Sequence, residues 1–158
     1  MPVTKNVTGI DHDEKAITDA KDNFSSYPTI KILKADATKL SFEDKSFDFV
    51  VCMTTFANFA DKKFIILEEM KRVLKNSGKI IISVFSEDAL EERMKVYKAS
   101  GVKIKNIENG KVVFDKSLGD NISEQFSKEQ LEDIFSRANL KIDDITKVNI
   151  AHLCTLSK

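Results

Sequence analysis

Residues 7–11 are VTGID and residues 29–36 are TIKILKAD, two short apolar runs that each end in an aspartate. Their β-branched and aliphatic side chains predict two β-strands. The stretch between them carries an apolar stripe at helical spacing, made of Ala16, Ile17, Ala20 and Phe24. Asp13 stands just ahead of that stripe, where an aspartate can cap a helix. The pattern predicts a strand–helix–strand unit with parallel strands.

The alternation of strands and helices continues along the chain. Residues 47–53 (FDFVVCM) end in five consecutive apolar residues, which is typical of a strand covered on both faces. A helix is predicted at residues 66–74, ended by Asn76-Ser77-Gly78 and followed by a strand at 79–85. The remaining predictions are a helix at 90–97, a hairpin of strands 102–107 and 111–114 around Asn109-Gly110, a helix with a capping box of Ser127 and Gln130, and an antiparallel pair at 142–148 and 150–156.

These elements predict one α/β domain over residues 1–158, with a mainly parallel sheet between helices and a C-terminal antiparallel hairpin. Ligands of such sheets bind beyond the carboxyl ends of the strands. The residues that follow each predicted strand are therefore the candidates for function.

Composition and charge exclude several classes of protein. The 25 basic and 25 acidic residues balance, so the chain has no general attraction for nucleic acid. The five glycines are nowhere closer than nine positions, which excludes GxGxxG and GxxxxGK loops. Two cysteines and two histidines lack the spacing of a zinc site, so no metal is expected. There is no apolar run long enough for a membrane span and no leader-like segment, and the expected location is the cytoplasm.

Two aspartates at strand ends are the main candidates for ligand binding. The Asp11 carboxylate could accept hydrogen bonds from the vicinal hydroxyls of a ribose, or it could cap the following helix together with Glu14. Asp36 could accept from an exocyclic amine such as adenine N6, or it could initiate a turn. Because the two predicted strands are neighbours, both carboxylates should lie on one rim and could hold one adenosine.

Four blocks of sequence together resemble S-adenosylmethionine-dependent methyltransferases of the Rossmann-like class. They are residues 7–11, 35–42 (ADATKLSF), 46–52 (SFDFVVC) and 67–79 (LEEMKRVLKNSGK). The resemblance implies a three-layer α/β/α fold and methyl transfer from S-adenosylmethionine. The acceptor is expected to be a small molecule, with neither nucleic acid nor membrane as partner, because residues 86–124 form a modest segment without the interleaved basic and aromatic residues that suit a nucleic acid. Since the reactivity resides in the cofactor, no catalytic residue is identified.

The resemblance also implies roles for individual residues. Asp11 would hold the ribose hydroxyls, His12 would lie against the adenine, and Asp36 with Ala37 would bind the adenine edge. Thr54 would border the methionine part of the cofactor, and Phe56, Asn58 and Phe59 would line the acceptor pocket. Each has a plainer alternative: His12 as a solvent-facing residue, Phe56 and Phe59 as core residues, and Asn58 as a helix cap.

The chain departs from this family at its N-terminal end. The family begins with a strand, a glycine-rich loop and a helix before the strand that ends at Asp11, and only ten residues precede Asp11 here. An N-terminally truncated domain would lack the central strand of its sheet. Direct pairing of the flanking strands, a strand from a second copy in a homo-oligomer, or a separate polypeptide could fill that gap.

Two other functions are compatible with the sequence. A non-catalytic methyltransferase-like remnant, acting in association or regulation, would oligomerise without binding cofactor. A nicotinamide oxidoreductase would also use an acid after a strand, and residues 27–31 contain a Tyr-x-x-x-Lys pair. That pair precedes a predicted strand rather than lying in a late helix, so we interpret it as coincidence.

Overall fold

The first two predicted strands pair in parallel. The computed structural model describes residues 6–116 and 121–158, and in it β1 (Val7–Asp11) lies beside β2 (Ile30–Lys34) with Asp11 opposite Lys34. Helix α1 (Glu14–Asn23) connects them, and the Asp13 side chain accepts a hydrogen bond from the Ala16 amide at 2.8 Å. The predicted cap is therefore confirmed. These elements belong to one compact unit, within residues 1–42.

A second compact unit, residues 43–158, holds the larger sheet. Its strands are β3 (Phe47–Met53), β4 (Leu74–Ser86), β8 (Gln125–Phe126), β9 (Lys141–Val148) and β10 (Ala151–Ser157). The order is β3–β4–β10–β9, and β8 also pairs with β4. β3 and β8 run parallel to β4, whereas β10 runs antiparallel to β4 and β9. The predicted C-terminal antiparallel pair is confirmed. That residues 1–158 form a single domain stays a prediction.

Helices α2 (Lys63–Val73) and α4 (Lys128–Arg137) contact β4 and β9, respectively. Ser127 and Gln130 form the predicted capping box of α4. The buried row Cys52, Ile82 and Cys154 crosses three strands in register on one face of the sheet. The helices contribute further core residues to this unit, namely Ile66, Leu67 and Met70 of α2 and Leu131 and Phe135 of α4.

The other face of β3 is exposed, contrary to the prediction that this strand is covered on both faces. Phe49, Val51 and Met53 are 57%, 58% and 51% exposed, although Cys52 between them is only 7% exposed. Side chains alternate between the faces of a strand, so an apolar run shows that both faces suit a core but not that both are covered.

Helix α2 ends earlier than predicted. Its last residue is Val73, and Leu74 already belongs to β4 with extended backbone angles. Gly78 lies within β4, where an added Cβ would be 2.7 Å from the Asp48 carbonyl oxygen. That glycine therefore permits close approach of β3 and β4 and does not end the helix.

A small antiparallel sheet and helix α3 (Leu90–Ala99) complete this unit. The sheet contains β5 (Ile104–Glu108), β6 (Lys111–Phe114) and β7 (Ile122–Ser123). Asn109 and Gly110 both have positive φ, 49° and 76°, which confirms the predicted hairpin.

Arg93 of α3 is 1% exposed and ties this region together. Its guanidinium donates to the Gly110 carbonyl at 2.9 Å, to Gln125 Oε1 at 3.0 Å and to the Ser123 carbonyl at 2.7 Å. No carboxylate among the described residues pairs with it. Neutral acceptors therefore bind the two terminal nitrogens of this buried cation, whereas its Nε has no hydrogen-bond partner among the described residues.

Candidate functional site

Asp11 ends β1, as the sequence predicts. Its Oδ1 accepts a hydrogen bond from the Asp13 amide at 2.9 Å, and its backbone carbonyl accepts from Ala35 at 2.9 Å. The side chain is 47% exposed, and that of His12, 85% exposed, has Nδ1 at 3.4 Å from Asp11 Oδ1. Asp13 is the residue that caps α1, so Asp11 is not held in the capping box with Glu14.

Asp36 lies two residues beyond the end of β2. Its Oδ1 accepts hydrogen bonds from the amide and the hydroxyl of Thr38, each at 2.8 Å. This is the turn-initiating arrangement that the sequence left open as the plainer alternative. The carboxylate remains on the exposed side of the turn, and the half-buried Ala37 follows it.

The two aspartates lie at the carboxyl ends of paired parallel strands, and both are exposed. A carboxylate offers about four lone-pair sites, so Asp11 can accept the Asp13 amide and still accept a ribose hydroxyl. Solvent reaches both side chains, so a ligand could contact them without disturbing the fold. His12 is placed as an exposed residue at the start of α1, where its ring could lie against a base.

Thr54 directly follows β3 and has strained backbone angles. Its φ is 60° and its ψ is −20°, a left-handed conformation that is unusual for a β-branched residue. The Thr54 amide donates to both the carbonyl and the hydroxyl of Ser83, each at 3.0 Å, which holds the chain in this turn. Backbone strain is often found at functional sites, and Thr54 lies at the carboxyl end of a parallel strand, where ligands of α/β sheets bind. Thr54 therefore remains a candidate functional residue.

The predicted acceptor-pocket residues occupy two different environments. Phe56 is fully buried, and its ring packs 5.7–6.1 Å from those of Phe59, Phe126 and Phe135. This packing favours the core interpretation of Phe56, whereas Phe59 is half-buried at the edge of the cluster. Asn58 is exposed in a 3₁₀ turn (Thr55–Asn58), and α2 begins after Lys62 without a side-chain cap. Asn58 therefore does not cap that helix.

The pair Glu87 and His152 was not identified from the sequence. Glu87 follows the last residue of β4, and His152, only 3% exposed, is the second residue of β10. His152 Nε2 lies 2.9 Å from Glu87 Oε2, and this hydrogen bond lowers the pKa of Glu87. His152 Nδ1 is buried with no partner among the described residues. The antiparallel register of β10 creates this pair, and register is not readable from isolated segments.

Lys147 brings a positive charge to the same end of β4. Its Nζ lies 2.7 Å from Asp88 Oδ2 and 3.7 Å from Glu87 Oε1. Hydrogen bonds from Lys147 and Ser86 lower the pKa of Asp88 to about 2. The carboxyl end of β4 thus carries two carboxylates, both ionised at neutral pH.

Within residues 6–116 and 121–158 there is no group of three or more His, Cys, Asp or Glu residues suited to hold a metal ion. No helix in those residues is long and apolar enough to cross a membrane.

A family described as methyltransferase domain matches residues 1–82 of the 158-residue chain. Among curated proteins, the demethylmenaquinone methyltransferase of Staphylococcus aureus (strain JH9) is 35% identical over 94 residues. That match covers 60% of this chain and 39% of the relative. The chain therefore spans much less than the full length of the curated relatives it matches.

Two solved structures resemble nearly the whole chain. The PH0226 protein from Pyrococcus horikoshii OT3 superposes with a TM-score of 0.72 at 26% identity, covering 96% of this chain and 71% of its own. A SAM-dependent methyltransferase from Methanosarcina mazei superposes with a TM-score of 0.73 at 21% identity, covering 97% of this chain and 82% of its own. The fold is accordingly Rossmann-like α/β.

Proposed function

Because the chain belongs to the methyltransferase domain family, we propose that it takes part in methyl transfer from S-adenosylmethionine to a small-molecule acceptor. One observation carries the proposal: within the matched residues, Asp11 and Asp36 follow the carboxyl ends of two paired parallel strands. Ligands of α/β sheets bind at that edge.

The cofactor supplies an activated methyl group when bound, so the residues of this chain have to bind and orient. Asp11 accepts the ribose hydroxyls, His12 lies against the base, and Asp36 with Ala37 binds the adenine edge. Thr54 borders the methionine part. Phe59 and Asn58 face the acceptor, and Phe56 supports them from the core.

The acceptor is proposed to be a small molecule and not a nucleic acid. Glu87 and Asp88 are exposed carboxylates at the carboxyl end of β4, and the pKa of each is below its usual value. Phosphate backbones are bound by clusters of Lys and Arg, whereas at this place the two carboxylates outnumber the single cation, Lys147. No residue of the chain is assigned as a catalytic acid or base.

Calorimetric titration of the chain with S-adenosylhomocysteine tests the proposal. We expect micromolar binding. The variant Asp11→Ala should lose about 1–3 kcal/mol of binding free energy, because it removes a charged hydrogen bond to the ligand. The matched control is Asp13→Ala, two residues away, which removes the observed helix cap. That control should lower stability by about 1 kcal/mol and leave affinity unchanged.

Equal affinities of the two variants would refute the role of Asp11. The absence of any binding to a well-folded chain would favour the second candidate function, a non-catalytic methyltransferase-like remnant. The exposed apolar side chains of β3 favour that candidate, because they suit association. It predicts a homo-oligomer in which a second copy completes the sheet, which sedimentation velocity would detect.

A cytoplasmic location is part of the proposal. Cys52 and Cys154 are both free and buried. Proteins with unpaired thiols are typical of reducing compartments. Fractionation of cells that express the chain would test this.

A further inference from the structure

Ser83 of β4 carries a buried hydroxyl in apolar surroundings. The residue is only 6% exposed, and it pairs with Met53 of β3 and Leu153 of β10. Paired residues point to the same face of a sheet, and Ile81 and Phe85, two positions away along β4, share that face. A hydroxyl in apolar surroundings is costly unless it forms a hydrogen bond. Ser83 is therefore expected to have a specific partner.

The partner of this hydroxyl is the strained residue Thr54. The Thr54 amide donates to Ser83 Oγ at 3.0 Å and to the Ser83 carbonyl at 3.0 Å. The carbonyl contact involves backbone atoms alone, so any residue at position 83 could provide it. The hydroxyl contact is the part that requires the serine.

The backbone of Thr54 needs such a contact. Its φ of 60° places its Cβ too close to neighbouring backbone, and a β-branched side chain makes this conformation rarer still. A residue stays in such a conformation only where its surroundings hold it there. Two acceptors on Ser83 fix the direction of the Thr54 amide and thereby favour the left-handed turn.

The hydroxyl protons at this turn are used within the turn itself. Thr54 Oγ1 donates to the Met53 carbonyl at 2.7 Å, and Thr55 Oγ1 donates to the same carbonyl at 3.2 Å. Neither proton is therefore directed at a ligand. The contribution of residue 54 to a binding site lies in the path of its backbone, which leads into the 3₁₀ turn Thr55–Asn58.

We propose that Ser83 is a positioning residue of the S-adenosylmethionine site, because its hydroxyl keeps the Thr54 backbone in the conformation that binds the ligand. This inference rests on the proposed function, in which Thr54 borders the methionine part of the cofactor. Without the hydroxyl, only a fraction of the molecules keeps the left-handed turn. The apparent affinity falls in proportion to that fraction.

Calorimetric titration with S-adenosylhomocysteine compares Ser83→Ala with a matched control, Ser157→Ala. Ser157 is also buried, 9% exposed, and its hydroxyl donates to Asp143 Oδ1 at 3.2 Å. It follows Leu156, which pairs with Ile80 near the middle of β4, away from the carboxyl end. We expect Ser83→Ala to weaken binding roughly three- to tenfold and Ser157→Ala to leave it unchanged. Circular dichroism should show both variants folded, since each loses one hydroxyl.

A change of residue 54 separates positioning from general stabilisation. Glycine adopts positive φ without a steric penalty, so the turn in Thr54→Gly does not need the Ser83 hydroxyl. We expect Ser83→Ala to alter affinity less than about twofold when it is combined with Thr54→Gly. Equal losses of affinity with and without Thr54→Gly would overturn the proposal, because a general loss of stability would not depend on residue 54.

NMR of the chain without ligand measures the turn directly. The Cα and Cβ chemical shifts of Thr54 report its backbone conformation, and we expect them to move away from left-handed values in Ser83→Ala. Unchanged shifts would overturn the proposal. Full affinity of Ser83→Ala for S-adenosylhomocysteine would overturn it alone, whereas no binding by the unsubstituted chain would overturn the proposed function and this inference with it.

Discussion

His152 Nε2 lies 2.9 Å from Glu87 Oε2, so a buried histidine of β10 holds the residue that follows β4, 65 positions earlier in the chain. The Gln125 side chain donates to the backbone carbonyl of the same Glu87. The turn after β4 is therefore fixed from two sides. This turn lies at the edge of the sheet where α/β proteins bind ligands.

Removal of the Glu87 carboxylate should destabilise the fold. In Glu87→Ala, neither ring nitrogen of His152 keeps a partner among the described residues, and a buried polar group without a partner costs about 1–3 kcal/mol. Urea unfolding at pH 7 measures the change. The control is Glu91→Ala, which removes an exposed carboxylate of α3 and should change stability by less than about 0.5 kcal/mol. Equal effects would show that the His152 contact is not stabilising.

Asp88 should make stability depend on acid pH. Its pKa is lowered from 3.8 to about 2, first by the hydrogen bond from Lys147 and then by that from Ser86. Because the folded pKa is the lower one, the stabilisation is present above pH 4 and is lost as the pH falls through about 2.

Lys147→Gln should raise the pKa of Asp88 toward its ordinary value, which a carboxyl-detected NMR titration measures. Lys95→Gln is the control, since Lys95 pairs with Glu91 and Glu92 of α3 and not with Asp88. An unchanged Asp88 pKa in Lys147→Gln would contradict the assignment.

The two cysteines should be inert in the folded chain. Burial raises the pKa of Cys52 to about 11 and that of Cys154 to about 12, so few thiolates exist near pH 8. Both flank Ile82 in register, two strand spacings or roughly 10 Å apart, which exceeds the reach of a disulfide. Labelling with iodoacetamide, measured by mass spectrometry, should be slow in buffer and complete in urea. Fast labelling of Cys52 alone would show that β3 separates readily from the core.

Gly110 should not tolerate a side chain. Its φ is 76°, and an added Cβ would lie 2.5 Å from Gln125 Nε2. Gln125 cannot easily move, because it accepts from Arg93 and donates to Glu87. Gly101 is the matched control: its φ is 68°, but nothing lies within 4 Å of the added Cβ. Gly101→Ala should cost about 1 kcal/mol for the left-handed backbone, and Gly110→Ala clearly more, by thermal unfolding. Equal losses of stability in the two variants would mean that the Gln125 side chain can move away from the added methyl group.

Phe56 and Phe49 should differ strongly in their contribution to stability. Phe56 is fully buried among three other phenylalanine rings, so Phe56→Ala should cost about 3–5 kcal/mol. Phe49 is 57% exposed, and Phe49→Ala should cost less than about 1 kcal/mol. Urea unfolding compares them. A small loss of unfolding free energy for Phe56→Ala would instead favour the interpretation that Phe56 lines the acceptor pocket.

Local chemistry predicts the elements whose signals lie within a few residues. The Asp13 cap, the Ser127–Gln130 capping box and the Asn109-Gly110 turn all form as expected, because each depends on contacts between near neighbours. The end of α2 was misplaced because Gly78 matches a helix-stop pattern, whereas contacts with β3 determine its place.

Long-range features could not be read from the sequence. The end of β1 at Asp11 was predicted correctly, because the strand itself is a local pattern, whereas β2 ends at Lys34, two residues before Asp36. The Glu87–His152 pair and the left-handed Thr54 depend on strand register and on Ser83 of a neighbouring strand. The exposure of Val51 depends on which layers surround the sheet, which an apolar pattern does not encode.

The hydrogen bonds of Arg93 connect α3 to two parts of the small sheet. Its guanidinium anchors the β5–β6 turn at Gly110 and the β7 strand at Ser123 to a single helix. Separating any of these parts would leave a desolvated positive charge without its acceptors, which is far more costly than a loss of apolar contact. The small sheet and α3 should consequently move as one rigid body. Local opening of this region should occur at the boundaries of that rigid body rather than within it.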